Sequence, residues 1–400
     1  MKEIKKIYGF SFFRSLVIYA SISIAFYQAN GLNYKSIMIL QAIYSFFILI
    51  FEIPSGIFSD KIGRKKTLII STVGFLFAYT CALFGKSFIP FLFMQFFAAI
   101  GESFYSGTFT AMVYEDLKNE EKIEHSKKVF ANIQIINLFS ALFASGISVV
   151  IVKYINMRFT YFVTAIMCFI ALVISSTFID LQEKTDDGKK QNSHRKMTFA
   201  NYKNTFMESI QLLFSNAELK MLFLDYIIFA AIALSISYLK QPLLLATDLK
   251  PEYLGIVNII TILCSTFVLK NIHNIKKLLK EETYYKLSVL LSGLVLFCNV
   301  LFKSYFVVIF SFLLLSIFYK TRDVLMGVKI NDYLNDSDRA TSLSVISALK
   351  MFCCIILELI LGVAADVNIL LALIIALCFM IVAYAVLYFY RYKTFSREIK

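Results

Sequence analysis

Tryptophan is missing from this chain, histidine occurs only three times in 400 residues, and charged residues make up only 17%. With 59% hydrophobic residues and a mean hydropathy of +0.72, so little charge excludes a soluble globular domain, which needs a polar surface. The histidines His125, His194 and His273 all fall on segments predicted to be cytoplasmic, so no buried His-centred catalytic or zinc site is expected. The seven cysteines lie inside apolar runs without paired metal spacing and read as reduced packing residues. No G-x-x-x-x-G-K-[ST] loop occurs, so nucleotide is not expected to supply energy. Neither enzymatic activity nor a metal or cofactor is expected. Without Trp, the interfacial aromatic role falls to the 23 Tyr residues.

What the chain has in abundance is long apolar runs. A helix needs roughly 20 residues to cross about 30 Å of hydrocarbon. Twelve such spans are predicted, at about 9–30, 34–57, 67–85, 89–113, 128–152, 159–180, 218–240, 251–270, 284–302, 304–326, 341–363 and 367–390. A barrel would need short alternating strands, so the predicted class is an all-α integral membrane protein. The opening "MKEIKKIYGF" leads into a full span and lacks the short apolar core of a cleavable signal, so the first helix is expected to stay. With the amino terminus in the cytoplasm, about 30 Lys and Arg fall on cytoplasmic segments and about 7 on opposite ones, the positive-inside asymmetry. Both termini are then cytoplasmic. The net charge of +13 is accounted for by topology and anionic headgroups, without a nucleic-acid partner.

The longest polar stretch, Leu181 to Ser209, separates spans six and seven. The predicted organisation is a six-helix bundle over 1–180, a cytoplasmic linker over 181–216 and a second six-helix bundle over 217–400. Within the linker, "FANYKNTFMESIQLLFS" reads as an amphipathic helix at the membrane surface. Weak repeats relate the halves. "FRSLVIYAS" of span one aligns with "LDYIIFAAI" of span seven, and "YEDLKNE" after span four with "NDYLNDS" after span ten. Such parallel repeats are expected to be related by an axis along the membrane normal.

Between spans two and three lies "GIFSDKIGRKKTLII", Gly56 to Ile70. The positive-inside rule accounts for Lys61, Arg64, Lys65 and Lys66, but not for Gly56, Asp60 and Gly63 at fixed offsets. The pattern G-x-x-x-D-K-x-G-R-K-K in this loop resembles the signature loop of the major facilitator superfamily. "FEIPSG" before it, "DRATSLSV" at the start of span eleven and "YSGTFTAMVYEDLK" at the end of span four are similar to stretches of bacterial, exporter-like members. The resemblance implies a multi-pass transporter of the bacterial plasma membrane, monomeric because the architecture encloses its own pathway. It also implies a cytoplasmic latch between the halves, made by Gly56, Asp60, Gly63, Arg64, Lys65 and Arg339. In that latch Asp60 would meet the free N–H groups at the start of span eleven, Gly56 would permit close helix approach, and Gly63 a tight turn. The span-four arginine and the Gly-Pro-Gly-Gly-like span-five element of drug/proton antiporters are missing, which speaks against that subgroup.

Ionisable groups at the middle of a bilayer cost roughly 2.5 to 3.5 kcal/mol each, so Arg14, Glu102, Asp225, Lys350 and Glu358 are expected to face a cavity or a partner. Burial favours the neutral form of a carboxyl, which makes Glu102 the leading proton carrier. Its alternative is a structural carboxyl paired permanently to a base. Lys350 and Glu358 are turned apart on one helix and are expected to seek other partners, Lys350 with Glu102 being one pairing. Arg14 and Asp225 are expected to pair between the halves, with snorkelling of Arg14 as the alternative. Glu52 is expected to anchor the loop cations. The function expected is alternating-access transport of a small solute, proton-coupled, with efflux of a hydrophobic or amphipathic compound favoured by the 41 Phe and 23 Tyr. A nutrient importer and a non-transporting sensor are the alternatives.

Overall fold

The computed structural model describes residues 2–119, 123–178, 199–215, 217–274, 280–334 and 339–398. Among these the chain is helical and contains no strand. The helices are α1 (Lys2–Ser15), α2 (Ser23–Ala29), α3 (Tyr34–Ile62), α4 (Arg64–Phe84), α5 (Phe88–Asn119), α6 (Ser126–Tyr154), α7 (Met157–Ser176) and α8 (Phe199–Ser215). They continue with α9 (Ala217–Ser237), α10 (Lys240–Leu245), α11 (Leu254–Lys270), α12 (Glu281–Leu301), α13 (Tyr305–Asp332), α14 (Arg339–Val367) and α15 (Ile369–Glu398). Eleven spans are long and apolar enough to cross a membrane, and twelve when α1 and α2 count as one broken span.

That first span bends by 47° where its helical ladder stops. A short 3-10 turn covers Ile18–Ser21. The freed N–H of Ile18 donates to Thr164 Oγ1 at 3.1 Å in the buried interior, so the break leaves no orphan there. At the far end of α7, Arg158 holds other helix ends. Its guanidinium donates to Leu83 O and Gly85 O, each at 2.7 Å, and to Asn30 Oδ1 at 2.5 Å. A cation on the terminal carbonyls of α4 is favoured by the helix dipole. An Arg158→Ala chain is expected to lose about 2 to 3 kcal/mol, several charged hydrogen bonds less their replacement by water. Thermal unfolding of the purified protein checks this, and an unchanged midpoint would make the clamp incidental.

Two compact units are present. One comprises 1–32, 43–197 and 251–259, the other 33–42, 198–250 and 260–400. In the first, α4 and α5 approach closely because both carry glycine at the crossing. A Cβ on Gly74 would lie 3.1 Å from Phe97 O, and one on Gly101 2.8 Å from the Phe75 ring. Ser71 Oγ donates to Gly101 O at 2.6 Å across the same crossing. The start of α11 belongs to this unit and sits close to α6, since a Cβ on Gly255 would meet Ser145 O at 2.6 Å.

In the second unit, the first turns of α3 pack on the end of α14. Asp366 accepts from Asn33 Nδ2 at 2.7 Å and from Lys35 N at 3.1 Å, and a Cβ on Gly362 would meet Met38 at 2.6 Å. The linker stretch Phe199–Ser215 is the helix α8. It buries Ser209 and Leu213, and Leu213 joins Phe223, Ile227, Ile330 and Val345 in a core, so one face of α8 is committed to this unit.

Large apolar side chains face outward along the spans, Phe84, Phe267 and Phe306 among them. The exposed tyrosines Tyr114, Tyr154, Tyr253, Tyr305 and Tyr333 all lie within about one or two turns of a helix end, where the polar tip of the ring meets a headgroup layer.

Candidate functional site

Each unit holds an ion pair in its interior, between its first and fourth spans. In the first unit α1 carries Arg14 and α5 carries Glu102, with Arg14 NH2 donating to Glu102 Oε2 at 2.8 Å. The α4–α5 crossing at Gly74 and Gly101 fixes Glu102 one residue away. Aromatic rings complete the cage. The guanidinium carbon lies 3.4 Å from the Tyr105 ring centroid and 5.0 Å from that of Phe75. A desolvated cation gains from two ring faces, which replace part of its lost hydration. Arg14 Nε is buried without a hydrogen-bond partner, whereas the Glu102 side chain is 38% exposed. The carboxyl is therefore the open member of the pair. Deeper along the broken span, Tyr19 stacks on Tyr161 with centroids 4.2 Å apart and meets Tyr79 edge-on.

In the second unit α9 carries Asp225 and α13 carries Arg322, whose NH2 donates to Asp225 Oδ1 at 2.5 Å. Arg322 is 1% exposed, and its NH1 donates to Tyr285 O at 2.9 Å and Ser288 Oγ at 2.7 Å. Tyr384 Oη donates to the same Asp225 oxygen at 2.7 Å, and the Phe229 ring centroid lies 4.3 Å from the guanidinium carbon. This pair is the more enclosed of the two, with Asp225 22% exposed, although Arg322 Nε, like Arg14 Nε, is buried without a hydrogen-bond partner. One residue on, Asp323 accepts from Tyr226 Oη at 2.7 Å.

Nearer the helix ends a second pair joins the third and fourth spans of each unit. In the first unit Arg64 meets Glu115 at 3.3 Å, and in the second Glu281 meets Lys329 at 2.8 Å. Both kinds of pair reverse their polarity between the units. The first unit has its cations on α1 and α4 and its carboxylates on α5, whereas the second has carboxylates on α9 and α12 and cations on α13.

The structure thus gives Arg14 and Asp225 each a partner in its own unit, in place of the expected pair between halves. Glu102 meets Arg14 and not Lys350. Lys350 and Glu358 lie along α14 with Cys354 between them feeling both charges, and Glu358 is 1% exposed. In the signature loop, Gly63 has φ +96°, the left-handed region that a Cβ strains, and forms the turn between α3 and α4. Arg64 also donates to Ser59 Oγ at 3.1 Å, and Lys65 is half-buried in the first turn of α4. A Cβ on Gly56 would meet nothing within 4 Å among the described residues. The side chains of Asp60 and Arg339 lie outside the described residues, as does His194.

Sequence reasoning missed Lys320, Arg322 and Asp323. They fall near the end of the predicted span 304–326, where charge reads as interfacial. The helix runs on to Asp332 and carries them deeper. Three ionisable residues in "YKTRD" were the available signal. Among the described residues no three His, Cys, Asp or Glu gather as metal ligands.

No curated protein matches the chain by sequence. Its fold is similar to that of the nucleoside transporter NupG (12% identity, 98% of each chain, TM-score 0.78) and of a POT family transporter in complex with a thioalcohol-conjugated peptide (15%, 98% and 96%, 0.73). It is likewise similar to the D-xylose-proton symporter (13%, 96% and 95%, 0.69). Residues 7–271, well over half of the chain, match the model of the Major Facilitator Superfamily, and the protein belongs to that family of membrane transporters.

Proposed function

We propose that the protein is a proton-coupled symporter that imports a small polar solute across the bacterial plasma membrane by alternating access, as a monomer with both termini cytoplasmic. The observation that carries this reading is the Arg14–Glu102 pair, in which the carboxyl is the more exposed member, 38% against 17% for the guanidinium side chain. Protonating Glu102 neutralises its side of the ion pair and leaves Arg14 with an uncharged acceptor and ring faces, so proton uptake changes what the first unit's interior attracts.

Polar cargo is favoured over a hydrophobic one because of where the aromatic residues go. Phe10, Phe109 and Phe178 pack in a core, and Phe84, Phe267 and Phe306 face outward. Beside the ion pairs the rings of Phe75 and Phe229 face guanidinium groups, and Tyr105, Tyr285 and Tyr384 bring hydroxyls. A D-xylose-proton symporter and a nucleoside transporter among the similar folds agree with such cargo. Export of a hydrophobic or amphipathic compound is the second reading, supported by the resemblance of "FEIPSG" and "DRATSLSV" to exporter-like members. In either direction Gly56, Asp60, Gly63, Arg64, Lys65 and Arg339 serve as the cytoplasmic latch, a role supported by the glycine-only turn at Gly63 and the Arg64 anchor to Glu115.

The test is gradient dissipation in vesicles of both orientations, challenged with sugars, nucleosides, organic acids and lipophilic cations. Import predicts that a polar solute enters right-side-out vesicles down an inward proton gradient. A lipophilic cation that releases protons only from inside-out vesicles would put export first. If correctly inserted protein moves protons with none of them, coupled transport of these classes fails and a sensor role moves ahead.

A further inference from the structure

Among the described residues of the second unit, Lys240 and Lys320 make no ion pair with a carboxylate. Lys320 lies near the middle of α13, 15 residues and about 22 Å from its first residue, where an ammonium is costly unless it is partnered. Among the described residues its hydrogen-bond partner is neutral: Nζ donates to Ser265 Oγ at 2.8 Å, and Ser265 is fully buried on α11. An ammonium has three donors, and a single hydroxyl satisfies one.

Lys240 opens α10, which packs on α13, and the charge of Lys320 reaches it. Like charges brought together away from water repel strongly, so an arrangement that holds two ammonium groups near each other is complete only with an anion. The nearby carboxylates are committed elsewhere. Asp225 is engaged by Arg322 and Tyr384, and Asp323, one turn from Lys320, turns outward to Tyr226. Among the described residues no carboxylate lies within ion-pair distance of Lys240 or Lys320.

We infer that Lys240 and Lys320, with Ser265, form a binding site for the carboxylate or phosphate group of the transported solute. The inference rests on the transporter reading and names its substrate class as an organic or inorganic anion. Two ammonium groups suit a multiply charged head, and the Ser265 hydroxyl, which accepts from Lys320 and donates to Ile262 O at 3.1 Å, would swing its proton from that backbone carbonyl to an anion oxygen once the lysine turns to the ligand. The same chemistry fits an anionic lipid headgroup, so the test separates the two.

Full-length protein in phosphatidylcholine nanodiscs is titrated with succinate and with inorganic phosphate, against choline chloride at equal ionic strength. Thermal unfolding is followed by a thiol-reactive dye at the buried Cys168 and Cys354. The expected result is saturable stabilisation by one of the two anions. Its midpoint should rise at least tenfold in Lys320→Gln and in Lys240→Gln, two independent variants in case one fails to fold, and stay within about threefold in Lys320→Arg. Equal stabilisation in parent and variants, or none by either anion, overturns the site. Stabilisation that appears only when phosphatidylglycerol is in the nanodisc also overturns it, because the ligand is then lipid. Counterflow of labelled succinate or phosphate in proteoliposomes separates the two claims. Lysine-dependent binding without counterflow leaves the site standing and sinks the transporter reading, whereas proton-driven movement of a neutral solute unaffected by Lys320→Gln does the reverse.

Discussion

An Asp225→Ala chain should lose about 3 to 5 kcal/mol, the usual penalty for stripping a buried cation of its counter-ion. Arg322 is 1% exposed and its NH2 would retain only the Tyr384 hydroxyl, with NH1 still on Tyr285 O and Ser288 Oγ. On the usual scaling for a chain of 400 residues this lowers the unfolding midpoint by about 4 to 6 °C. The double variant Asp225→Leu with Arg322→Leu should recover most of the loss, since removing both charges also removes both desolvation costs. A cycle of the two singles and the double reads the coupling directly. If Asp225→Ala moves the midpoint by less than about 2 °C, Arg322 does not depend on the carboxylate and the network is held by its backbone and hydroxyl contacts.

The second large effect is on coupling. Glu102→Gln keeps the shape of the carboxyl and one hydrogen bond to Arg14 but can take up no proton. Proton-driven accumulation should fall at least tenfold while counterflow, which needs no net proton movement, continues. A purely structural Glu102 would lose both together or neither. Accumulation at the parental level in the variant would move proton coupling away from this residue. Arg14→Lys is the companion change. An ammonium lacks the flat face that lies 3.4 Å from Tyr105, so it cannot both cover the ring and reach Glu102 as the guanidinium does.

Spans were legible because bilayer thickness imposes one length on every apolar run, and the twelve predicted runs each match a described helix or the broken α1–α2 pair. Boundaries were less so: α13 outlasts its apolar stretch by six residues, which is why Arg322 read as interfacial. Arg14, Glu102 and Asp225 announced themselves as charges at depth. Their pairing did not, because it depends on how far each helix is rotated, and in α5 that follows from Gly101 against Phe75, a contact between elements distant in sequence. The bend of the first span was also hidden. Thr164, more than a hundred residues away, supplies the acceptor that makes it affordable.

The reversed polarity of the two units bears on descent. If the halves arose by tandem duplication of one ancestral bundle, both members of each pair must since have exchanged sign in one copy. A single exchange would have left two cations or two carboxylates facing each other in low dielectric, a combination that natural selection purges. The passage therefore ran through neutral intermediates, or the ancestral bundle carried uncharged residues there and each copy acquired its pair independently. The outcome also differs in quality. Glu281 and Lys329 sit at the helix ends whose partial charges favour them, whereas Arg64 and Glu115 sit at ends that oppose them. The better solution, on that measure, belongs to the carboxyl-terminal copy.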